Sequence, residues 1–374
     1  MSRESEEYTF GVEEEYQIID PTTRELSGHG ESVLRRAQRA LGDKEVVPEL
    51  HTSQIEVLTP VCLTLSEVRA ELSRLRRSVI EAAAEEGLRI AAASTHPFSR
   101  WQEQPVTPRG RYLEIVERER QLAEEQVVFG FHVHVGLSDR EAAIQVINHL
   151  RVWLAPLLAL SANSPFWLGE DTGYASYRTQ IWGRLPTAGP PGLFSSLAEH
   201  DTLVRTLVST GGVKERTQVY WDLRLPEKIE TVEIRVADVC SRVDEAAMLA
   251  GLSRALVRTC HERAQGGEPY PEARLELLRA ATWVASRHGL DGDLVDVEAS
   301  RSAPAREVIW TMLDFARPAL EEHGEWEEIS ALVSETLERG NGARRQRRAY
   351  ERAGLLEDVV DMLIEETAQR TGSA

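Results

Sequence analysis

Lysine is nearly absent: all but three of the 43 basic residues are arginine, the exceptions being Lys44, Lys214 and Lys228. Any phosphate chemistry must therefore lean on guanidinium groups and metal ions. Positive charge is short overall. The formal net charge of −18 over 374 residues argues against nucleic acid or an anionic membrane as the main partner. Anionic small substrates stay open, provided Arg and metal make the pocket itself positive. Cysteine is sparse too. Cys62, Cys240 and Cys260 are widely separated, with no C-x-x-C pair, which disfavours a disulfide scaffold or a zinc ribbon and predicts buried, reduced thiols. Long hydrophobic runs are missing, since Val152–Leu160 is too short for a bilayer and contains Pro156. Met1–Glu7 is acidic and polar, unlike a secretory or transit signal. A soluble, cytoplasmic protein is expected. No G-x-x-x-x-G-K-[ST], G-x-G-x-x-G or H-E-x-x-H occurs, which excludes a P-loop nucleotidase and removes the usual dinucleotide and zinc signals.

What is present is ordinary globular composition, 42% hydrophobic and 28% charged. Residues 10–19 alternate as a strand, 30–41 read as a helix and 46–58 as an extended stretch. Thr64-Leu65-Ser66-Glu67 fits a capping box, and Leu65, Val68, Leu72, Leu75 and Val79 recur at helical spacing until Gly87. A small-residue strand is expected at 89–94 and a charged helix at 111–127. Phe131–Leu137 alternates as a strand. Ser138-Asp139-Arg140-Glu141 reads as a second capping box, opening an apolar helix to Ala162. Residues 167–191 read as a long ordered loop of the kind that is usually functional. Strands are predicted at 217–223 and 231–236, and helices from Val243 onward. Strands first and helices last argues α+β, an antiparallel or mixed sheet covered by helices. Nothing marks a linker, so residues 1–374 are expected to form one domain.

The strands share a second pattern. Period-two alternation puts Glu13, Glu15 and Gln17 on one face of the first strand and Val12, Tyr16 and Ile18 on the other. Glu14 faces away with the apolar set and reads as structural. His132 and His134 share a face, as do Glu233 and Arg235, and as do Gln54 and Glu56; Glu49 and His51 precede that last pair. If these strands join one sheet, its polar face gathers several carboxylates, two imidazoles and an arginine. A merely solvated face would more often show Lys, Thr and Ser. Carboxylates at this density suit hard divalent cations, and with metals neutralising them such a face can hold a polyphosphate. His134 reads as a packing or substrate contact rather than a ligand.

Gly11-Val12-Glu13-Glu14-Glu15-Tyr16, Glu49 with Gln54-x-Glu56, Gly130–Gly136 and Thr231-Val232-Glu233-Ile234-Arg235 stand in the order seen in the type-2 glutamate–cysteine ligase family. The chain resembles the carboxylate–amine ligase branch of that family over essentially its whole length. Ser176-Tyr177-Arg178, Trp182–Pro186, Tyr220–Arg224 and Val359–Thr367 support the match. The resemblance implies a curved, funnel-shaped sheet related to that of glutamine synthetase, with ATP and Mg²⁺ (or Mn²⁺) as cofactors. It implies Glu13, Glu15, Glu49, Glu56, His132 and Glu233 as metal ligands. Arg235 resembles the arginine on the transferring phosphate, and Arg178 and Arg184 resemble substrate or phosphate arginines. The implied reaction joins a carboxylate to an amine through an acyl phosphate, glutamate with cysteine being the family's pair. Amino acids and ATP are the expected partners, and a homodimer is the ordinary expectation. A metal-dependent hydrolase or phosphotransferase on the same sheet is the competing reading, and no motif reads out the substrate pair.

Overall fold

In the computed structural model, which describes residues 8–369, the first alternating segment becomes the central strand, β1 (Phe10–Ile19). Phe10, Val12, Tyr16 and Ile18 are buried on one side, while Glu13 and Glu15 stand half-buried on the other. Around it lie β2 (Val46–Pro48), β3 (Gln54–Leu58), β4 (Arg89–Ala91) and β5 (Gly130–Gly136). A separate hairpin pairs β6 (Phe166–Trp167) with β7 (Glu170–Asp171). The main sheet is completed by β8 (Leu223–Arg224) and β9 (Thr231–Asp238), and a second hairpin pairs β10 (Asp293–Asp296) with β11 (Arg301–Pro304). Its seven strands run β2-β3-β1-β5-β9-β8, with β4 beside the far half of β1. Every pairing is antiparallel, so the α+β expectation holds.

Helices cover the apolar face. The helix Leu65–Glu85 buries Leu65, Val68, Leu72, Leu75 and Val79 as the spacing predicts, and its capping box is formed by Thr64 and Glu67. Burying each such side chain contributes about 1.5–3 kcal/mol. The helix Val243–Gln265 runs through the core against Leu65–Glu85. Gly251 permits that approach: a Cβ there would lie 2.8 Å from Ile329 Cδ1 and 3.2 Å from Leu65 Cδ1. Glu14 interrupts the apolar face of β1 and is answered by Arg76, whose Nε lies 3.0 Å from a Glu14 oxygen. Arg76 also donates to the backbone oxygens of Ser241 (2.7 Å) and Cys240 (2.8 Å). One buried ion pair thus fastens a helix, the central strand and the turn after β9.

Several local expectations need correction. The charged helix at 111–127 is two pieces, Gly110–Glu119 and Gln121–Glu124, broken at Arg120, whose φ is +54°. Asp139, not Ser138, caps the next helix, accepting from the Glu141 and Ala142 backbone N–H groups, so no capping box forms there. The stretch read as one loop at 167–191 contains β7 and a short helix, Tyr177–Trp182. The strand expected at 217–223 is a 3₁₀ turn, Arg216–Gln218, followed by the two-residue β8. The strand expected at 89–94 stops at Ala91, and β10–β11 interrupt the helical C-terminal third. The helical run Arg140–Ser161, stepped through a 3₁₀ turn at Arg151–Trp153, is long and apolar enough to cross a membrane, but its most apolar 18 residues are 94% buried inside the protein. It is a core helix. All three cysteines are buried and free, while Met1–Glu7 lies outside the described residues.

Candidate active site

Antiparallel register brings the polar residues into one row. On β1 and β3, Glu15 stands opposite Glu56 and Gln17 opposite Gln54. On the other side of β1, Glu13 pairs with His132 and Gly11 with His134. Across β5 and β9, His134 meets Glu233, and Glu233 meets Arg224 of β8. Directly opposed residues project to the same face, so chain segments more than 200 residues apart meet in one groove. That groove is a cavity of about 290 Å³, with Arg178, Trp182 and Arg235 forming part of its wall.

The separations are short. His132 Nδ1 is 2.9 Å from a Glu13 oxygen, and His134 Nε2 is 3.3 Å from the other and 3.9 Å from Glu233. The Gly130 N–H donates to Glu15 at 2.8 Å. Three overlapping sets place their ligand atoms within 4.8 Å of one another: Glu13, His134 and Glu233; Glu13, Glu56 and His132; Glu15, Glu49 and Glu56. Such donor sets, carboxylate oxygens with one imidazole nitrogen in two of the three, fit Mg²⁺ or Mn²⁺.

Electrostatics reinforce that fit. Burial and then the Glu49 charge push Glu15 up to about 7. Burial and then the charges of Glu13, Glu49 and Glu15 push Glu56 well above the carboxylate range, and burial also raises Glu49. Like charges crowded without water relax when a cation lies between them. Burial acts the same way on Glu13, but the neighbouring His132 and His134 together hold it well below the usual range. Burial, with the Arg235 charge, lowers His132 to about 4, keeping the imidazole neutral and able to act as a ligand. Burial opposes Glu233 as well, yet Arg235 and Arg224 hold it near 2.

Arginines close the groove. Arg235 is ion-paired to Glu233, and Arg224 Nε lies 2.6 Å from the same carboxylate. The guanidinium carbons of Arg178 and Arg235 lie 6.0 and 5.8 Å from the Trp182 ring centre, and each side chain keeps a buried Nε without a hydrogen-bond partner. Arg178 is placed by Asp238, whose carboxylate accepts from Asn163 N (2.8 Å), Ser164 Oγ (2.7 Å) and Ser176 Oγ (2.9 Å). Gly130 leaves the floor open: a Cβ there would sit 2.8 Å from His132 Nε2 and 3.0 Å from an Arg178 nitrogen.

The structure therefore brings together Glu13, Glu15, Glu49, Glu56, His132, His134, Glu233, Arg235 and Arg178. His134, expected as a substrate or packing contact, offers a ring nitrogen within 4.8 Å of carboxylate oxygens of Glu13 and Glu233. Arg184 is not brought in. It pairs with Glu125 and bonds the Ile181 carbonyl outside the groove. Sequence reading assigned no role to Trp182, Arg224 or Arg111, which line the cavity. Arg224 was findable from alternation in Tyr220–Arg224, whereas Arg111 lies on a charged helix whose docking no local pattern announces.

The profile described as Glutamate-cysteine ligase family 2 matches residues 9–362. A Rhodopirellula baltica protein provisionally named glutamate–cysteine ligase 2 is 40% identical over 356 residues, 94% of this chain and 96% of its own. A longer Frankia alni protein, provisionally named glutamate–cysteine ligase 2-3, is 43% identical over 96% of this chain, which spans 41% of that relative. Among solved structures, the Francisella tularensis glutamate–cysteine ligase in complex with AMP superposes with a TM-score of 0.71 at 11% identity, covering 97% of this chain and 89% of that one. A bifunctional glutathione synthetase from Pasteurella multocida gives 0.67 at 17% identity, covering 97% and 52%. With a polar sheet face, a matching fold and a family profile spanning nearly its full length, the chain belongs to glutamate–cysteine ligase family 2.

Proposed function

We propose that this chain is an ATP-dependent carboxylate–amine ligase of the cytoplasm, working through an acyl phosphate, with glutamate and cysteine as the first pair to test. The observation that carries the reading is the overlap of three ligand sets, each able to hold a cation, at a groove that Arg178 and Arg235 line. A carboxylate is a poor electrophile and must be activated before an amine can displace oxygen from it. Phosphoryl transfer asks the protein for positioning and charge neutralisation rather than a nucleophile. Glu13, Glu15, Glu49, Glu56, His132, His134 and Glu233 would hold divalent cations, which supply neutralisation of the phosphate oxygens. Arg235 would present fixed N–H donors where charge develops, and Arg178, on the same groove wall, would do so beside it. The substrate carboxylate oxygen takes the terminal phosphoryl group and ADP leaves. The amine nitrogen then bonds the acyl carbon and gives up a proton, the carbon–oxygen bond to phosphate breaks, and phosphate departs carrying that proton. Nucleotide use is further supported by the fold neighbour solved with AMP.

The test is ADP release across amino-acid pairs with Mg²⁺ or Mn²⁺, recording product mass. ADP and phosphate should form only when both a carboxylate and an amine are present, and glutamate with cysteine should give γ-glutamylcysteine. ADP release without an amine would favour the hydrolase or phosphotransferase reading, and AMP with pyrophosphate would indicate an adenylate instead. Full turnover after exhaustive chelation would remove the metal role.

A further inference from the structure

Arg178 stands in the groove wall on the helix Tyr177–Trp182, yet the groups that place it lie outside the groove. Ser176 holds the N-cap position of that helix, but its hydroxyl does not cap it. The hydroxyl donates instead to Asp238 at 2.9 Å and meets Thr179 Oγ1 at 2.8 Å. Ser164 Oγ donates to the same carboxylate at 2.7 Å and accepts from the Arg178 backbone N–H at 3.1 Å. That carboxylate, buried at the end of β9, lies 3.9 Å from Arg178 Nη1. The contacts continue into the C-terminal helices. Asn163 gives its backbone N–H to Asp238 at 2.8 Å, and its side-chain nitrogen donates to the backbone oxygens of Ala92 (3.0 Å) and Val239 (2.8 Å). Its side-chain oxygen faces Gln346, on the helix Gly342–Ala353. Gln346 Nε2 donates to that oxygen at 2.7 Å and to the Asn163 backbone oxygen at 3.0 Å. Gln346 is buried, and its own Oε1 has no hydrogen-bond partner. A buried acceptor left open is destabilising, so an apolar side chain would dock this helix better. Docking has a separate anchor in Arg345, which donates to Glu245 at 2.6 and 2.8 Å and lies 3.0 Å from Glu366.

We propose that Gln346 and Ser176 are positioning residues for Arg178, acting from two ends of one buried network through Asn163, Ser164 and Asp238. Neither residue lines the groove. Gln346 fixes the Asn163 amide and peptide, and Asn163 and Ser176 fix the Asp238 carboxylate. Asp238 and the Ser164 hydroxyl then set where the Arg178 guanidinium stands beside Trp182. The inference rests on the ligase reading for what Arg178 does, and on the hydrogen bonds alone for where it is held.

The test is Gln346→Met and Ser176→Ala in the full chain, each made in the wild type and in Arg178→Lys. With an amino-acid pair that gives ADP release in the wild type, each single variant should lower kcat by about tenfold or more, since a misplacement of about 1 Å can cost about 10²-fold. In Arg178→Lys neither should lower it further, because residues that act through one another are not additive. A purely structural role predicts a lower melting temperature with kcat unchanged, or an equal loss of kcat in both backgrounds. Either result overturns the proposal. Trp182 gives a readout that needs no reaction, its ring centre being 6.0 Å from the Arg178 guanidinium carbon. Its fluorescence, taken as the difference between each protein and its Trp182→Phe counterpart, should change in both variants. If no pair gives ADP in the wild type, the ligase reading fails and this signal alone decides: a change supports the positioning, and emission equal to that of the wild type overturns it. ADP release with kcat unchanged in both variants overturns the positioning and leaves the ligase reading standing. Should Gln346→Met not fold, Ser176→Ala at the other end of the network carries the same outcomes.

Discussion

Arg235 condenses the chemistry of this site into one side chain. Its guanidinium pairs with Glu233, lies 5.8 Å from the Trp182 ring centre and keeps a buried Nε without a partner. Lysine would preserve charge but lose the planar fork. Arg235→Lys should lower kcat by about 10²-fold, the effect of removing one transition-state donor, while the melting temperature changes little because Val232, Ile234 and Val236 still anchor β9. Near-normal kcat in that variant would reduce Arg235 to a neutraliser of Glu233. Gly130 makes a second case. Its Cβ space is taken by His132 and Arg178, so Gly130→Ala should displace the imidazole and shrink the thermal stabilisation produced by Mg²⁺. An undiminished Mg²⁺ effect would count against His132 as a ligand.

At the scale of the element, β1 serves two incompatible solvents. One face presents Glu13 and Glu15 to the groove, and the other sends Glu14 into the core, where Arg76 and Tyr16 satisfy it. Arg76→Met leaves Glu14 buried without its cation and should cost about 3–5 kcal/mol. Adding Glu14→Leu to that variant should recover much of the loss, because removing both charges spares the desolvation penalty. Urea midpoints of wild type and the two variants decide it. A single variant as stable as wild type would mean the pair fastens nothing. The Asp238 cluster works likewise at the other end of the sheet, where three donors from the 163–176 segment hold the backbone that carries Arg178.

At the scale of the molecule, a histidine far from the groove ties early chain to late. His96 Nε2 lies 2.8 Å from the Arg24 backbone oxygen, and its Nδ1 accepts from the Ser99 N–H at 2.9 Å. Burial holds its pKa down at about 3, far below the unfolded value near 6.5. The unfolded chain therefore takes up a proton that the fold refuses. Stability should be complete above the ordinary histidine range and fall as pH drops through it toward 3. His96→Gln should flatten this part of the melting-temperature profile, even if it lowers the plateau. An acid limb of unchanged slope would assign the loss to other groups.

How much could be read in advance follows from which interactions are local. Alternation in Phe10–Ile19 and in the β5 and β9 segments depends only on neighbours in sequence, so the greasy and acidic faces were legible, as was the capping box at Thr64 and Glu67. The break at Arg120, the two-residue β8 and the hairpin β10–β11 were not, because packing overrode propensity there. Arg178 and Arg184 look alike in sequence, six residues apart on one segment. The fold turned Arg178 inward onto β9 and left Arg184 on Glu125 outside. By itself the sequence determined what each strand could offer: which residues share a face, and that this face is acidic. The tertiary structure alone decided which offers meet, since register between strands distant in sequence sets the separations of Glu13, His132, Glu56 and Glu233, and a cation responds to those separations rather than to order along the chain.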